Sequence, residues 1–291
     1  YTDLKKELLK SVSTDTHRVV NDASITIQGW MKHKADVAEA FATRSADQAD
    51  ILPFLRQGEK SGNYDVFYFG ATTGRAIFSD PEIQKILDDK GFDPTVRPWY
   101  KGAKSAGKTV FTAPYIDASS GRLIISVATP ANINGQFRGV VGADLSLDEV
   151  LHTIESIDVG GQGFVMLVDE SGTVIAHPNE SLRMKPLSDV GPELNISMVE
   201  RLAASGDMDT LPIDGRDHMM RFKRVGDSRF YVGIALETSD VMAPLSRLLM
   251  INSLVSLVLI IAAAVVSMWM VGRVMKPLNA IGDALEEIAE G

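Results

Sequence analysis

Leu248 to Val271 is a run of 24 residues without a charge, a glycine or a proline. As a helix it spans about 36 Å, enough to cross a hydrocarbon core of about 30 Å with some tilt. Asn252, Ser253, Ser256 and Ser267 are its only polar residues. Whatever else the chain folds into must therefore sit beside a bilayer. Arg247 flanks one end, and Arg273 and Lys276 flank the other. That positive bias places the C-terminal side in the cytoplasm, with Trp269 at interfacial depth. Residues 1–246 are then extracytoplasmic. Tyr1 opens directly into a helical pattern, so the expectation is a second membrane helix upstream and a sensor-sized domain looped between the two.

From Thr2 to about Ser45 there is no proline and one glycine, Gly29. Leu4, Leu8, Val12, Val19, Ala23, Ile27, Trp30, Val37 and Phe41 recur mostly in steps of three, four or seven. This predicts an amphipathic helix of about 40 residues, near 60 Å long. Such a helix outruns one small domain, so a partner helix in a homodimer is expected. The alternative is a helix laid along two domains of its own chain.

Beyond it the pattern changes to alternation. Tyr64–Phe69 reads as a strand, Gly70–Gly74 as a turn and Arg75–Ser79 as a return strand. The same order comes back with Phe164–Val168, Asp169–Gly172 and Thr173–His177. Gly135–Asp144 also resembles Gly226–Ala235, each a glycine-bearing hairpin turn followed by a β-rich strand. The stretch between the units, Ser146–Ile157, reads as a helix. The predicted fold class is α+β: a long helix (1–45), two similar PAS-like modules with antiparallel sheets (46–150 and 151–246) and one transmembrane helix (247–271). A new amphipathic pattern follows over 272–291, opening at Lys276-Pro277-Leu278.

Several chemistries are excluded or disfavoured. The net charge is −9, which argues against nucleic acid as a partner, since that needs a clustered basic face. The chain has no cysteine, which removes disulfides, thiolate metal sites and cysteine nucleophiles. Its five histidines show no metal spacing on one predicted face, and His177 reads as structural. No catalytic constellation stands out, so no enzyme, cofactor or metal is expected. Gly102–Thr109 fits the phosphate-loop pattern G-x-x-x-x-G-K-[ST]. That motif needs a strand before it and a helix after it. Here Arg97-Pro98-Trp99-Tyr100 precede it, and Val110-Phe111-Thr112 with Pro114 follow, so a flexible cationic turn is expected.

The informative stretch is Gly91–Tyr100, followed by Pro114–Asp117 and Gly142-Ala143-Asp144. Arg97 offers a planar fork for a carboxylate. Trp99 adds an indole N–H and an apolar wall. Asp117 and Asp144 can accept from an ammonium, with Tyr100 or Tyr115 completing its shell. A cation at one end and anions at the other describe a trap for a zwitterion. A structural pairing of Arg97 with Asp144 or Asp93 is the competing reading.

At these residues the chain resembles the double-Cache sensor domains of bacterial methyl-accepting chemotaxis receptors, in their amino-acid-binding branch. The branch pattern is an aromatic, then Arg-x-Trp-Tyr, then a closing Asp. It falls on Phe92, Arg97, Trp99, Tyr100 and Asp144, with Tyr115 and Asp117 between. The resemblance implies that the membrane-distal module, 46–150, binds an amino-acid-like ligand. Arg97 and Trp99 would hold its carboxylate, and Tyr100, Tyr115, Asp117 and Asp144 its ammonium. It also implies a bacterial inner-membrane receptor, a HAMP linker starting in 272–291, and signalling to cytoplasmic machinery. The proximal module has no Arg-x-Trp-Tyr and would transmit. Phe92 stands where the branch usually has Tyr, which leaves taurine, γ-aminobutyrate or an amine as alternative ligands. A histidine kinase or diguanylate cyclase output is the alternative to a chemoreceptor.

Overall fold

The computed structural model describes residues 2–45, 50–157, 159 and 163–290. Tyr1, the 46–49 stretch where the first module was expected to begin, and Gly291 lie outside the described residues. The chain divides into two units, Tyr1–Thr238 and Ser239–Gly291.

Helix α1 spans Thr2–Ser45, matching the predicted length. Its inward face is shared between two cores. Val20, Ala23, Ile27 and Met31 pack with Val165, Leu167, Val232 and Ile234, and Ala38 and Ala42 pack with Phe67, Phe69 and Val141. Two sheets of the same chain thus cover the stripe from Val20 to Ala42, the alternative that the sequence left open, while Leu4 at its start is exposed. Polar anchors fix the register. Buried Lys34 donates to the carbonyls of Gly62 and Asn63 and pairs with Glu149 at 2.5 Å. Further along α1, Arg221 donates to the Ser13 hydroxyl and Ser24 to the Arg224 carbonyl.

The first sheet contains β1 (Val66–Ala71), β2 (Ala76–Phe78), β3 (Val110–Phe111), β4 (Tyr115–Ile116), β5 (Leu123–Ile133) and β6 (Gln136–Ser146). All its pairings are antiparallel, in the order β2-β1-β6-β5-β3, with β4 also on β5. Asn134-Gly135, both at positive φ, close the β5–β6 hairpin, the geometry that two-residue hairpin loops favour. Alternation divides the side chains between two faces. Phe67, Phe69, Val127, Val141, Ala143 and Leu145 face α1 and α2 (Leu52–Gly62). The other face lies beneath α3 (Pro81–Asp89), a 3₁₀ turn (Pro94–Val96) and α4 (Pro98–Ala106).

Helix α5 (Leu147–Glu155) leads to the second sheet. Its strands are β7 (Phe164–Asp169), β8 (Val174–Ala176), β9 (Asp209–Ile213), β10 (Arg216–Arg224) and β11 (Phe230–Glu237). They are antiparallel in the order β8-β7-β11-β10-β9. Helices α6 (Leu187–Val190) and α7 (Ile196–Ser205) cover one face with Leu187, Val190, Val199 and Leu202, joined by Leu194 from the segment between them. The observed architecture is the predicted α+β arrangement of one long helix and two antiparallel sheets.

Helix α8 runs from Thr238 to Glu290. Met250–Val271 within it has a mean hydropathy of 2.7 and is long and apolar enough to cross a membrane. Arg273 lies over the Trp269 ring at 5.1 Å, the pairing of a cation and an aromatic suited to an interface. The backbone stays helical through Lys276-Pro277-Leu278, where a new element was expected to open.

Candidate functional site

The segment over the first sheet is set by short-range chemistry. The Asp93 carboxylate accepts from the backbone N–H and hydroxyl of Thr95 at 2.8 and 2.7 Å, which starts the 3₁₀ turn and holds its own proton affinity low. Pro98 then fixes the first position of α4 and keeps Arg97 extended, with φ −80° and ψ 150°. Arg97 is the N-cap residue of α4, and its guanidinium, which has no acceptor, makes no capping bond. It lies over the Phe92 ring at 4.6 Å. Trp99, 2% exposed, meets Tyr68 edge-on at 4.8 Å and occupies the space left by Gly70, where a Cβ would stand 2.7 Å from the indole. Among the described residues, neither the Arg97 guanidinium nor the Trp99 indole N–H has a hydrogen-bond partner, and Arg97 pairs with neither Asp93 nor Asp144.

Asp144 ends on the same sheet face. Ser126 stands opposite it across β5–β6, and Tyr68 stands opposite Gly142, two residues away. A Cβ at Gly142 would overlap the Tyr68 ring, so glycine lets the ring lie across the strand and reach the carboxylate. The Tyr68 hydroxyl and Ser126 Oγ donate to Asp144 Oδ1 at 2.6 and 2.5 Å. The Tyr115 hydroxyl bonds Ser126 Oγ at 2.6 Å. Proton counting orients this chain. When Asp144 is ionised, Ser126 spends its one proton on Oδ1, so Tyr115 donates to Ser126. Lone pairs of Tyr115 and the second oxygen, Oδ2, remain as acceptors. Burial pushes the Asp144 carboxyl up to about 7, against the hydrogen bonds from Ser126 and Tyr68 that lower it. Burial and the nearby Asp144 hold the Tyr68 and Tyr115 phenols above their usual range.

Rings join the two ends. Phe92 meets Phe78 at 5.6 Å, Phe78 meets Tyr68 at 5.1 Å, and Tyr68 bonds Asp144. The structure therefore brings together Phe92, Arg97, Trp99, Tyr115 and Asp144 on one aromatic face. It treats Tyr100 and Asp117 differently. Tyr100 packs on Trp99 and Phe137, and its phenol is raised by burial and by Asp93 rather than by Asp144. The Asp117 carboxylate accepts from the N–H and hydroxyl groups of Ser119 and Ser120. Burial acts to raise its affinity for a proton, but those bonds win and hold it low. It still lies near enough to add negative potential at Asp144. Tyr68 and Ser126 were not singled out in the sequence, and only the strand register reveals them.

The phosphate-loop pattern is placed decisively. Gly102–Ala106 is helical, Gly107 caps α4 at φ 65°, and strand β3 follows. Helix precedes strand, the reverse of a phosphate loop, and the flexible turn expected there is a helix end. A cleft of about 560 Å³ opens beside Tyr115 and is lined by Lys108 of the first module and by Glu170, Arg224 and Arg229 of the second. It includes neither Arg97 nor Asp144. His177 is buried, and its Nδ1 accepts from the Asn179 N–H. No metal-binding cluster is present among the described residues.

The double-Cache form of the Cache domain matches residues 2–245. The chain belongs to the Cache domain family. Methyl-accepting chemotaxis protein McpA of Pseudomonas putida is 33% identical over 274 residues, covering 91% of this chain and 41% of that protein. This Cache chain thus spans less than half the length of the curated relatives it matches. The ligand-binding domain of the Pseudomonas fluorescens chemoreceptor CtaA in complex with L-isoleucine superposes with a TM-score of 0.70 at 29% identity, over 82% of this chain and 98% of that one. The ligand-binding domain of the Pseudomonas aeruginosa chemoreceptor PctC in complex with γ-aminobutyrate superposes with a TM-score of 0.63 at 25% identity, over 77% and 99%.

Proposed function

We propose that residues 1–246 are the extracytoplasmic sensor of a bacterial transmembrane chemoreceptor, and that the first-sheet module captures an amino-acid-like zwitterion. The observation that carries this reading is a pair of ends on one aromatic face whose polar groups have no protein partner among the described residues. Among the described residues the Arg97 guanidinium and the Trp99 indole N–H have no acceptor, while Asp144 Oδ2 and a lone pair of Tyr115 have no donor. A carboxylate at the first end and an ammonium at the second would satisfy both. Phe92 forms the platform under Arg97, and Asp117 and Tyr100 border the site, the former through its charge. The L-isoleucine and γ-aminobutyrate complexes of the structural relatives support the same ligand chemistry, because both molecules join an ammonium to a carboxylate. Met250–Val271 would carry the signal across the inner membrane, as a homodimer, through a HAMP linker to the cytoplasmic chemotaxis machinery. No catalysis is assigned to the module.

The test is a titration of soluble residues 1–246, the extent over which the relatives are ligand-binding domains in their own right. L-isoleucine, L-alanine, L-arginine and γ-aminobutyrate are the probes. One site per chain is expected by calorimetry. A ligand at 100 times its dissociation constant should stabilise the fragment by about 2.7 kcal/mol. Failure of all four to bind, or two independent sites per chain, would overturn the reading.

A further inference from the structure

We propose that Tyr68 and Ser126 set the charge state of Asp144, so that capture of the ligand's ammonium expels a proton from this carboxyl and the sensor reads its ligand against ambient pH. The inference deepens the site assigned above and rests on that reading. It starts from what surrounds the carboxyl. Asp144 is buried, and no cation pairs with it among the described residues. Both of its hydrogen bonds come from neutral hydroxyls and fall on one oxygen, Oδ1. The other charged or titratable groups that face it all disfavour a second negative charge or are neutral. Asp117 follows β4, Asp65 precedes β1, Tyr115 lies on β4 and Tyr68 on β1. Arg97 is committed to the Phe92 face instead.

A buried carboxylate in that setting holds a proton near neutral pH, at about 7. An ammonium arriving at Oδ2 supplies the missing cation, and the charged form of Asp144 becomes the stable one. The balance is simple: the neutral carboxyl gives its proton to solvent, and the carboxylate accepts hydrogen bonds from the incoming ammonium, which keeps its own protons. Tyr68 and Ser126 are positioning residues here. Their hydroxyls turn toward Oδ1 in both states and leave Oδ2 for the ligand. They also keep the carboxyl from being neutral well above the physiological range, which would shut the site.

Calorimetry on residues 1–246 with L-alanine and γ-aminobutyrate, whose ammonium groups stay charged throughout, tests this. Affinity should fall about tenfold from about pH 8 to about pH 6. In buffers of different ionisation enthalpy, close to one proton should be released per ligand at about pH 6 and almost none at about pH 8. Tyr68→Phe and Ser126→Ala should each move the midpoint to higher pH. A merely structural role for these hydroxyls would instead weaken binding by one factor at every pH and leave the midpoint in place. Asp144→Asn should bind weakly with no proton release. Binding that is flat across this range, or release that persists in Asp144→Asn, overturns the inference and leaves the proposed function standing. Absence of binding at every pH overturns that function and the inference with it.

Discussion

The two sheets share a strand order and the register of their central strands around a matched glycine, and they differ in what stands at four matched positions. Tyr68 pairs with Gly142 in the first sheet as Met166 pairs with Gly233 in the second. Asp144 then corresponds to Ala235, Ser126 to Met220 and Ala128 to Phe222. In the second sheet Met166, Met220, Phe222 and Ala235 form one closed apolar core. In the first, a carboxyl and two hydroxyls occupy the equivalent volume. The covers differ in the same sense. Leu187, Leu194 and Leu202 lie over the second sheet, whereas Phe92, Trp99 and Tyr100 lie over the first. The backbone is therefore common to both modules, and the proposed ligand binding rests on side chains that one copy alone carries. A buried acid on this framework needs partners that a dry core does not supply.

The sharpest way to break the comparison is to move the acid across. Ala235→Asp would place a carboxyl among Met166, Met220 and Phe222, with no hydroxyl to receive it. The expected cost is about 3–5 kcal/mol, that of an uncompensated buried charge. It should show as a lower denaturant midpoint for residues 1–246. A variant as stable as the parent would mean that the second face is not closed. The reciprocal change, Asp144→Ala, makes the first sheet resemble the second. It should leave the fragment folded and weaken ligand binding by about 2–5 kcal/mol, at least about thirtyfold. Arg97→Ala should do the same from the carboxylate end. Normal folding and binding within threefold of wild type in both variants would end the site assignment.

Much of this comparison was legible before the structure. The uninterrupted apolar stripe of α1, the paired strand–turn–strand segments and the glycine hairpins all reflect local periodicity and turn chemistry, which a sequence carries on its face. Arg97, Trp99 and Asp144 stood out by type and by resemblance. Tyr68 and Ser126 did not. They lie 76 and 18 residues from Asp144, and what joins them is register across separate strand pairs. Tyr68 reads as one more β-forming aromatic until the glycine opposite is known. The α1 stripe was found, but whether a partner helix or the chain's own two domains cover it stayed open, because periodicity reveals a buried face without naming its partner. Gly102–Thr109 shows the converse: the letters of a phosphate loop matched, while the order of helix and strand decided against it.

The matched glycines sharpen the comparison at a smaller scale. A methyl at Gly142 overlaps the Tyr68 ring, and one at Gly233 overlaps Phe222. Gly142→Ala and Gly233→Ala should each destabilise the fragment by about 1–3 kcal/mol through overpacking. Only the first should also weaken ligand binding and alter its pH profile, because only there does the displaced ring carry a hydroxyl on Asp144. Thermal denaturation beside calorimetry separates the two effects. Equal loss of binding in both variants would mean that the sheets respond as one body and that their division of labour is wrong.

The smallest expected effect concerns the covers. Phe92→Leu gives the first cover the residue type that fills the second. The ring is half-buried, so a leucine retains much of its packing against Phe78 and stability should change little. What leucine lacks is the π face beneath the Arg97 guanidinium, which lies 4.6 Å from the ring centre. A partly exposed cation–π contact is worth about 0.5–1 kcal/mol, so binding should weaken about two- to fivefold. The attribution is checked by a cycle with Arg97→Ala. If Phe92 acts by holding the guanidinium, removing Arg97 in the Phe92→Leu background should cost less than in the parent, by about the same 0.5–1 kcal/mol. Additive losses would place Phe92 against the ligand itself and not under the arginine. In that case the aromatic cover would be a contact surface for the ligand's side chain, and its difference from the leucine-rich second cover would bear on which ligand is chosen and not on how its carboxylate is held.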